Sequence, residues 1–171
     1  FIGADAGRAN TIAFHNVFVG SQAGRLNTSG ELNSFIGYYS GRSNATGTRN
    51  TFMGAHAGDS NISGSDNSYF GMLAGGASTG NNNAFFGAHA GLTNSSGHNN
   101  AFFGKDAGRL NKTGYYNAFF GQGAGYSNTT GRWNVFVGRF SGNKNTTGIY
   151  NTCLGGQAGR DNTVGNRNVM I

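Results

Sequence analysis

Residues 117–131 read Asn-Ala-Phe-Phe-Gly-Gln-Gly-Ala-Gly-Tyr-Ser-Asn-Thr-Thr-Gly, and this stretch with its next two residues recurs along the whole chain. The unit is N-x-F-φ-G-x-x-A-G-x-x-N-x-[S/T]-G-x-x, where φ is apolar, and its positions are numbered 1–17. The spacing is 17 residues everywhere except between Gly71 and Gly87, where it is 16. A fixed period of this kind is the signature of a repeat architecture. Residues 1–171 are therefore interpreted as one repeat domain of ten units, one of them shortened at 71–87, and as a piece of a longer fibre.

Glycine and asparagine mark the register of the repeat. Three series at positions 5, 9 and 15 hold 29 of the 32 glycines, and Asn occupies position 1 in all ten units. Both residues tolerate positive φ in tight turns. Short apolar runs separated by such turns indicate short strands, and 17 residues suit one coil without a helix. The sequence predicts an all-β fold, a β-solenoid or β-roll of about ten coils with stacked Asn and Phe side chains.

Composition narrows the function classes. Charged residues make up 11% of the chain, against about 25% in typical globular proteins. The 14 Phe and 7 Tyr side chains argue against disorder. The net charge is +6, but the sequence has no Lys/Arg run, so we expect no nucleic-acid partner. No apolar stretch approaches the roughly 20 residues that cross a bilayer, so we expect no membrane span.

Two neighbouring apolar columns run through the strands, at positions 3 and 4. Because adjacent strand residues point to opposite faces, one column fills the coil and the other forms an outward ridge. We expect identical chains to cover this ridge, with a homotrimer about a three-fold axis as the preferred closure. The alternative is a corner that turns both columns inward in a lone solenoid. The residues assigned to the core or to assembly are Phe18, Phe35, Phe52, Phe85, Phe102, Phe119, Phe136, Phe86, Phe103 and Phe120.

No constellation of catalytic residues is recognisable. The six acids stand at variable positions without a pair, and we predict no enzyme activity, no cofactor and no metal site. His56 and His89 share a repeat position two coils apart and are interpreted as solvated surface residues. Seven Asn-x-Ser/Thr sequons are better explained by turn chemistry, with the hydroxyl bonding locally. They begin at Asn27, Asn44, Asn61, Asn94, Asn111, Asn128 and Asn145.

Aromatic residues occupy position 17 of three successive units and form the predicted ligand contact. These are Tyr116, Trp133 and Tyr150, with Tyr115 and Arg132 beside them at position 16. Aromatic faces with neighbouring cations suit a glycan or another surface ligand. The alternative is that the rings cover turns or a seam between chains.

The pattern Asn-Ala-Phe-Phe-Gly…Ala-Gly…Asn-Thr-Thr-Gly resembles the repeats of trimeric bacterial surface adhesins and phage-tail-fibre-like proteins. It is also similar to the heads of trimeric autotransporter adhesins, whose shorter units end a strand in apolar-Gly. The resemblance implies a homotrimeric β-roll shaft or head that is extracellular, on a cell surface or a virion tail fibre. Such a segment would mediate attachment to a surface glycan or host receptor.

Two rival functions follow from other features of the repeat. Stacked Thr and Ser residues such as Thr28, Ser29, Thr129 and Thr130 suggest an ice-binding β-solenoid. Open coil ends suggest a self-assembling extracellular filament subunit.

Overall fold

A computed structural model describes residues 1–171, and each repeat unit forms one coil of a parallel β-solenoid. Every coil contributes one short strand, and the ten strands, β1–β10, form a single parallel sheet in chain order. No residue is helical, which confirms the predicted all-β solenoid. The strands are Val17–Val19, Ser34–Ile36, Thr51–Met53, Ser68–Phe70, Ala84–Phe86, Ala101–Phe103, Ala118–Phe120, Val135–Val137, Thr152–Leu154 and Val169–Met170.

The sheet register follows the repeat. Phe102 of β6 pairs with Phe119 of β7, so identical repeat positions lie above one another. Across the shortened unit, Tyr69 of β4 pairs with Phe85 of β5. The missing residue is therefore absorbed in the turn, and the stacking of the strands on both sides is unchanged.

Backbone hydrogen bonds between coils continue through the turns. Only 18 of the 118 backbone–backbone hydrogen bonds lie within the strands. In the turns, for example, the amide of Gly108 donates to the carbonyl of Ala124 at 2.9 Å, one coil further on. The amide of Ala107 closes a tight turn on Gly104 at 3.2 Å. A coil with three strand residues is thus tied to its neighbours around most of its circumference.

Glycine is required at two positions for different reasons. At position 5, Gly104 has a φ of 137°, and a Cβ there would lie 2.6 Å from the carbonyl oxygen of Gly121 in the next coil. At position 9, Gly108 has a φ of 57°, and a Cβ would collide with the ring of Phe102 in its own coil. Coil stacking therefore excludes a side chain at position 5, and the interior ring excludes one at position 9.

The hydrophobic interior is a single column of stacked rings at position 3. Neighbouring ring centroids are 4.7–5.0 Å apart and the ring planes lie within 20° of each other. Ala or Ser at position 8 lines the same interior. The fully buried members of the ring column are Phe18, Phe35, Phe52, Tyr69, Phe85, Phe102, Phe119 and Phe136. The position 4 column points outward, so the corner that would turn both columns inward does not form.

Two asparagine ladders fill the remainder of the interior. At position 12, Nδ2 of Asn111 donates to Oδ1 of Asn94 at 2.6 Å and to the carbonyl of Gly114 at 3.0 Å. At position 1, the amide of Asn117 donates to Oδ1 of Asn100 at 3.0 Å. The predicted Asn stacking is confirmed. Burying an amide costs free energy unless the amide is hydrogen-bonded. The hydrogen bonds of the ladders therefore allow Asn side chains to be buried beside the narrow column of rings.

The sequon asparagines all belong to the position 12 ladder and are fully buried. The Ser or Thr two residues later is exposed and its hydroxyl makes no hydrogen bond within the chain, so the expected local bond does not form. Because the Asn side chains are enclosed and bonded between coils, the folded solenoid does not present them for glycosylation.

The shortened coil replaces two interior residues at once. Ser78 stands where other coils have the position 12 Asn, and Tyr69 stands where they have Phe. The hydroxyl of Tyr69 donates to Oγ of Ser78 at 2.8 Å, and Nδ2 of Asn94 also donates to that Oγ, at 3.0 Å. The Tyr69 hydroxyl thus reaches the smaller Ser78, but Oδ1 of Asn61 in the preceding coil is left buried without a hydrogen-bond partner, so the ladder is interrupted there. Burial raises the pKa of the Tyr69 phenol well above its usual range.

The interior column predicts that two Phe→Ala substitutions, one inside the column and one outside it, lower the free energy of unfolding by very different amounts. Phe102→Ala removes a fully buried ring and should lower the free energy of unfolding by about 3–5 kcal/mol in a denaturant titration. Phe140→Ala removes a half-exposed ring outside the column and should cost less than about 1.5 kcal/mol. Equal losses would mean that the interior stack is not the main source of stability.

Candidate functional site

The first outward feature is an apolar stripe along the strands, here called the outer ridge. It consists of the position 4 side chains of β1–β9: Val19, Ile36, Met53, Phe70, Phe86, Phe103, Phe120, Val137 and Leu154. The rings of Phe86, Phe103 and Phe120 stack at 4.6–4.9 Å with planes within 7°. Position 2 lies on the same side of the sheet and carries small or β-branched residues.

The outer ridge exposes a large apolar area. Phe120, Val137 and Leu154 are each 39% exposed. A large apolar side chain offers about 150–250 Å², so the nine positions together expose on the order of 500 Å². That lies in the upper part of the roughly 300–600 Å² found for the largest apolar patch on a typical monomer, a patch that is often functional, and below the roughly 800 Å² per partner of a standard interface.

The second outward feature is the set of rings at position 17, here called the aromatic strip. Tyr116, Trp133 and Tyr150 stack in order, with ring centroids 6.0 Å and 4.9 Å apart and planes within 10°. The ring of Tyr115 meets Trp133 edge-on at 5.2 Å, and the guanidinium of Arg132 lies 5.2 Å from the Trp133 ring. The structure therefore brings together all five residues of the predicted ligand contact.

The rings of the strip present their edges to the surroundings. One face of Trp133 is turned to Tyr116 and the other to Tyr150. The guanidinium of Arg167 lies 5.9 Å from the Tyr150 ring. Stacking at the coil spacing therefore covers both faces of Trp133. What remains accessible are ring edges, which carry partial positive charge, and the polar groups on them.

The backbone does not favour aromatic residues at position 17. The φ angles of Tyr116, Trp133 and Tyr150 are 54–59°, and position 17 is left-handed in every coil. Two earlier coils carry Asn82 and Asn99 there, a residue that accepts this conformation more readily. Bulky rings are uncommon in this conformation, so Tyr116, Trp133 and Tyr150 stand at position 17 against the preference of the backbone.

Charge is distributed unevenly along the rod, a feature that the sequence reasoning missed. Residues 1–100 contain four Lys/Arg and four Asp/Glu, whereas residues 101–171 contain eight and two. The whole net charge of +6 therefore lies in residues 101–171, the part of the chain that includes the aromatic strip. Counting the charged residues of the two parts of the chain separately would have revealed this asymmetry from the sequence alone.

Most of the carboxylates are neutralised locally. Arg49 holds Asp66 in a bidentate pair at 2.6 and 2.8 Å, and Lys144 meets Asp161 at 2.6 Å. These cations hold the pKa of the Asp66 and Asp161 carboxyls below the usual range. Arg132 has no acidic partner, and its Nε is shielded without a hydrogen bond.

The sequence suggested that His56 and His89 are solvated surface residues, but in the structure each ring lies beside a carboxylate. Nδ1 of His56 lies 3.0 Å from Asp59, and Nδ1 of His89 lies 3.3 Å from Asp106.

No group of three or more His, Cys, Asp or Glu side chains is placed to hold a metal, and the surface has no pocket. No helix is long and apolar enough to span a membrane. Burial raises the pKa of the Cys153 thiol, which takes the place of a ring at position 3.

The Thr and Ser columns differ in what their hydroxyls do. At position 13, Thr28 donates to the carbonyl of Ala45 at 3.1 Å and Thr129 to that of Thr146 at 3.0 Å, each in the next coil. These hydroxyls therefore donate hydrogen bonds to the next coil and are not free to bind a ligand. Only the position 14 hydroxyls are free, and that column is interrupted at the 16-residue coil.

No known protein family, curated protein or solved structure matches the chain, so its function is argued from its own surfaces.

The aromatic strip should be dispensable for folding. Trp133→Asn removes a partly exposed ring but places a residue suited to the φ of 55°, so the two effects should offset. The free energy of unfolding should change by no more than about 1 kcal/mol. Leu32→Asn at the same position of an earlier coil is the matched control. A loss above 3 kcal/mol for Trp133→Asn alone would assign the strip to the fold.

Proposed function

We propose that the chain is a structural and adhesive fibre segment of an extracellular surface appendage, assembled as a homotrimer. The outer ridge is the observation that carries this proposal. Because the ridge is continuous over nine coils and lies on one side of each coil, one axis parallel to the rod brings the ridges of all copies together.

The shape of the chain supports a role in spacing and presentation. Ten coils at about 4.7 Å form a rod of about 47 Å. Backbone bonds around the coil and ladders within it tie each layer to the next. A rigid rod without a pocket offers long surfaces to a partner, and long surfaces suit attachment.

Three chains are preferred to two because of the resemblance to trimeric bacterial adhesins and tail-fibre-like proteins. The small and β-branched residues at position 2 support close approach of the copies. Ala84, Ala101 and Ala118 stand there in the middle coils, beside the stacked rings of the ridge. Such alternation of small and large side chains allows close packing about an axis.

The ice-binding alternative draws on the exposed hydroxyls at position 14. Thr113, Thr130 and Thr147 succeed one another in three coils, and their hydroxyls make no hydrogen bond within the chain. Against it, the neighbouring position 13 hydroxyls are engaged with the next coil. A thermal-hysteresis measurement on the intact chain tests this alternative, and an activity at micromolar concentration would favour it over adhesion.

The filament alternative differs in the direction of association. Stacking end to end would extend the rod without using the outer ridge, and the particle mass would grow with concentration. Lateral closure about an axis gives one fixed mass instead.

Molar mass tests the proposed assembly. Light scattering should give three times the 17.8 kDa chain mass, independent of concentration in the micromolar range. Phe103→Lys places a charge in the middle of the outer ridge and should convert the trimer to a smaller species. Leu110→Lys, at a partly exposed position away from the ridge, should leave the mass unchanged.

Two outcomes would contradict the assembly. A wild-type chain that stays monomeric would mean that the ridge is not an interface between copies. A dimer would support the interface but overturn the three-fold closure.

A further inference from the structure

We propose that the aromatic strip, together with Lys112, Arg132 and Arg167, binds an acidic polysaccharide that lies along the rod axis. This inference rests on the proposed adhesive function and names the class of ligand that the segment would hold. It also changes the mode of contact that the sequence suggested, from stacking on ring faces to hydrogen bonding and charge pairing along ring edges.

The cations of the strip are free of acidic partners. Lys112, Arg132 and Arg167 stand at positions 13, 16 and 17, in and around the coils of the strip, and none forms an ion pair within the chain. In the part of the chain after Asp66, no acid occurs at positions 13–17, because the only acids there, Asp106 and Asp161, lie at positions 7 and 11. Positions 13–17 of the later coils therefore carry cations and no acid, which attracts and orients an anionic chain.

Unused hydrogen-bonding groups lie beside these cations. The phenol hydroxyls of Tyr116 and Tyr150 and the indole N–H of Trp133 make no hydrogen bond within the chain, unlike the bonded hydroxyl of Tyr69. Thr113 and Thr130 add exposed hydroxyls at position 14. These groups recur once per coil, so they form a row at a spacing of about 4.8 Å. A polysaccharide is a repeating chain of hydroxyl and carboxylate or sulfate groups, and it can meet such a row over several coils.

A nucleic acid fits this surface less well. Binding of single strands depends on bases stacking on aromatic faces, and both faces of Trp133 are already covered by its neighbours. Double-stranded DNA carries one charge per about 1.7 Å, far denser than three cations spread over four coils. Sparse cations among hydroxyl donors match a polymer that has fewer charges and many hydroxyls.

Binding to defined polymers tests the ligand class. The intact chain would be run in affinity electrophoresis against alginate, a polyuronate, and against dextran sulfate. Neutral dextran shares the backbone of dextran sulfate without its charge and is the matched control. Retardation by an acidic polymer and none by neutral dextran is the expected result, with weaker retardation as salt is raised.

Variants locate the site on the strip. Arg132→Gln should weaken binding about tenfold or more, because hydrogen bonds to charged groups contribute about that much. Trp133→Asn should also weaken binding while the fold is retained. Arg139→Gln and Leu32→Asn are the controls: Arg139 is an equally unpaired cation at position 6, beyond the other end of the strand, and Leu32 shares the position of Trp133.

Several results would overturn the inference. These are no retardation by either acidic polymer, equal retardation by neutral dextran, or tighter binding of an oligothymidylate or of phosphatidylglycerol vesicles. An equal effect of Arg139→Gln and Arg132→Gln would assign binding to diffuse charge instead of the strip.

Molar mass keeps this test separate from that of the proposed assembly. If the wild-type chain is monomeric yet binds acidic polysaccharide through Arg132, the assembly fails and the binding surface stands. If Trp133→Asn changes the molar mass, the strip belongs to the seam between chains and the binding inference fails.

Discussion

The backbone hydrogen bonds that join each coil to the next are the constraint on which the rest of the structure depends. They set a spacing of about 4.8 Å and place each repeat position directly above its counterpart. Most interior side chains therefore have their own kind as neighbours in the coils above and below. The interior accepts only residues that stack well on themselves, and rings at position 3 and amides at positions 1 and 12 meet that condition.

The same constraint governs departures from the repeat. In the shortened coil, the extra hydroxyl of Tyr69 reaches Ser78, which also accepts from Asn94. The ladder is interrupted on the other side, where Oδ1 of Asn61 has no partner, yet the strand register is retained. Because each layer contacts only its neighbours, such a change stays local.

Stacking also limits what the surface can offer a ligand. Aromatic residues on successive coils cover one another, so the outer ridge and the aromatic strip both expose ring edges. On the ridge, the edges and the aliphatic side chains form an apolar stripe suited to identical copies. On the strip, cations and unbonded hydroxyls accompany the edges, and the strip lies in the part of the chain that carries the net charge. The two surfaces differ in chemistry and are proposed to serve different partners.

The sequence by itself determined the coil length, the all-β class and the Asn ladders, because a fixed period leaves few alternatives. It also identified Tyr116, Trp133 and Tyr150 as neighbours. The tertiary structure decided that position 3 lies inside and position 4 outside. Only the tertiary structure decided that position 17 is left-handed under bulky rings and that the faces of Trp133 are covered. It likewise decided that Asp106 and Asp161 are paired with nearby cations whereas Arg132 is not. The period specifies which residues lie above one another, but the path of each coil decides where their side chains point.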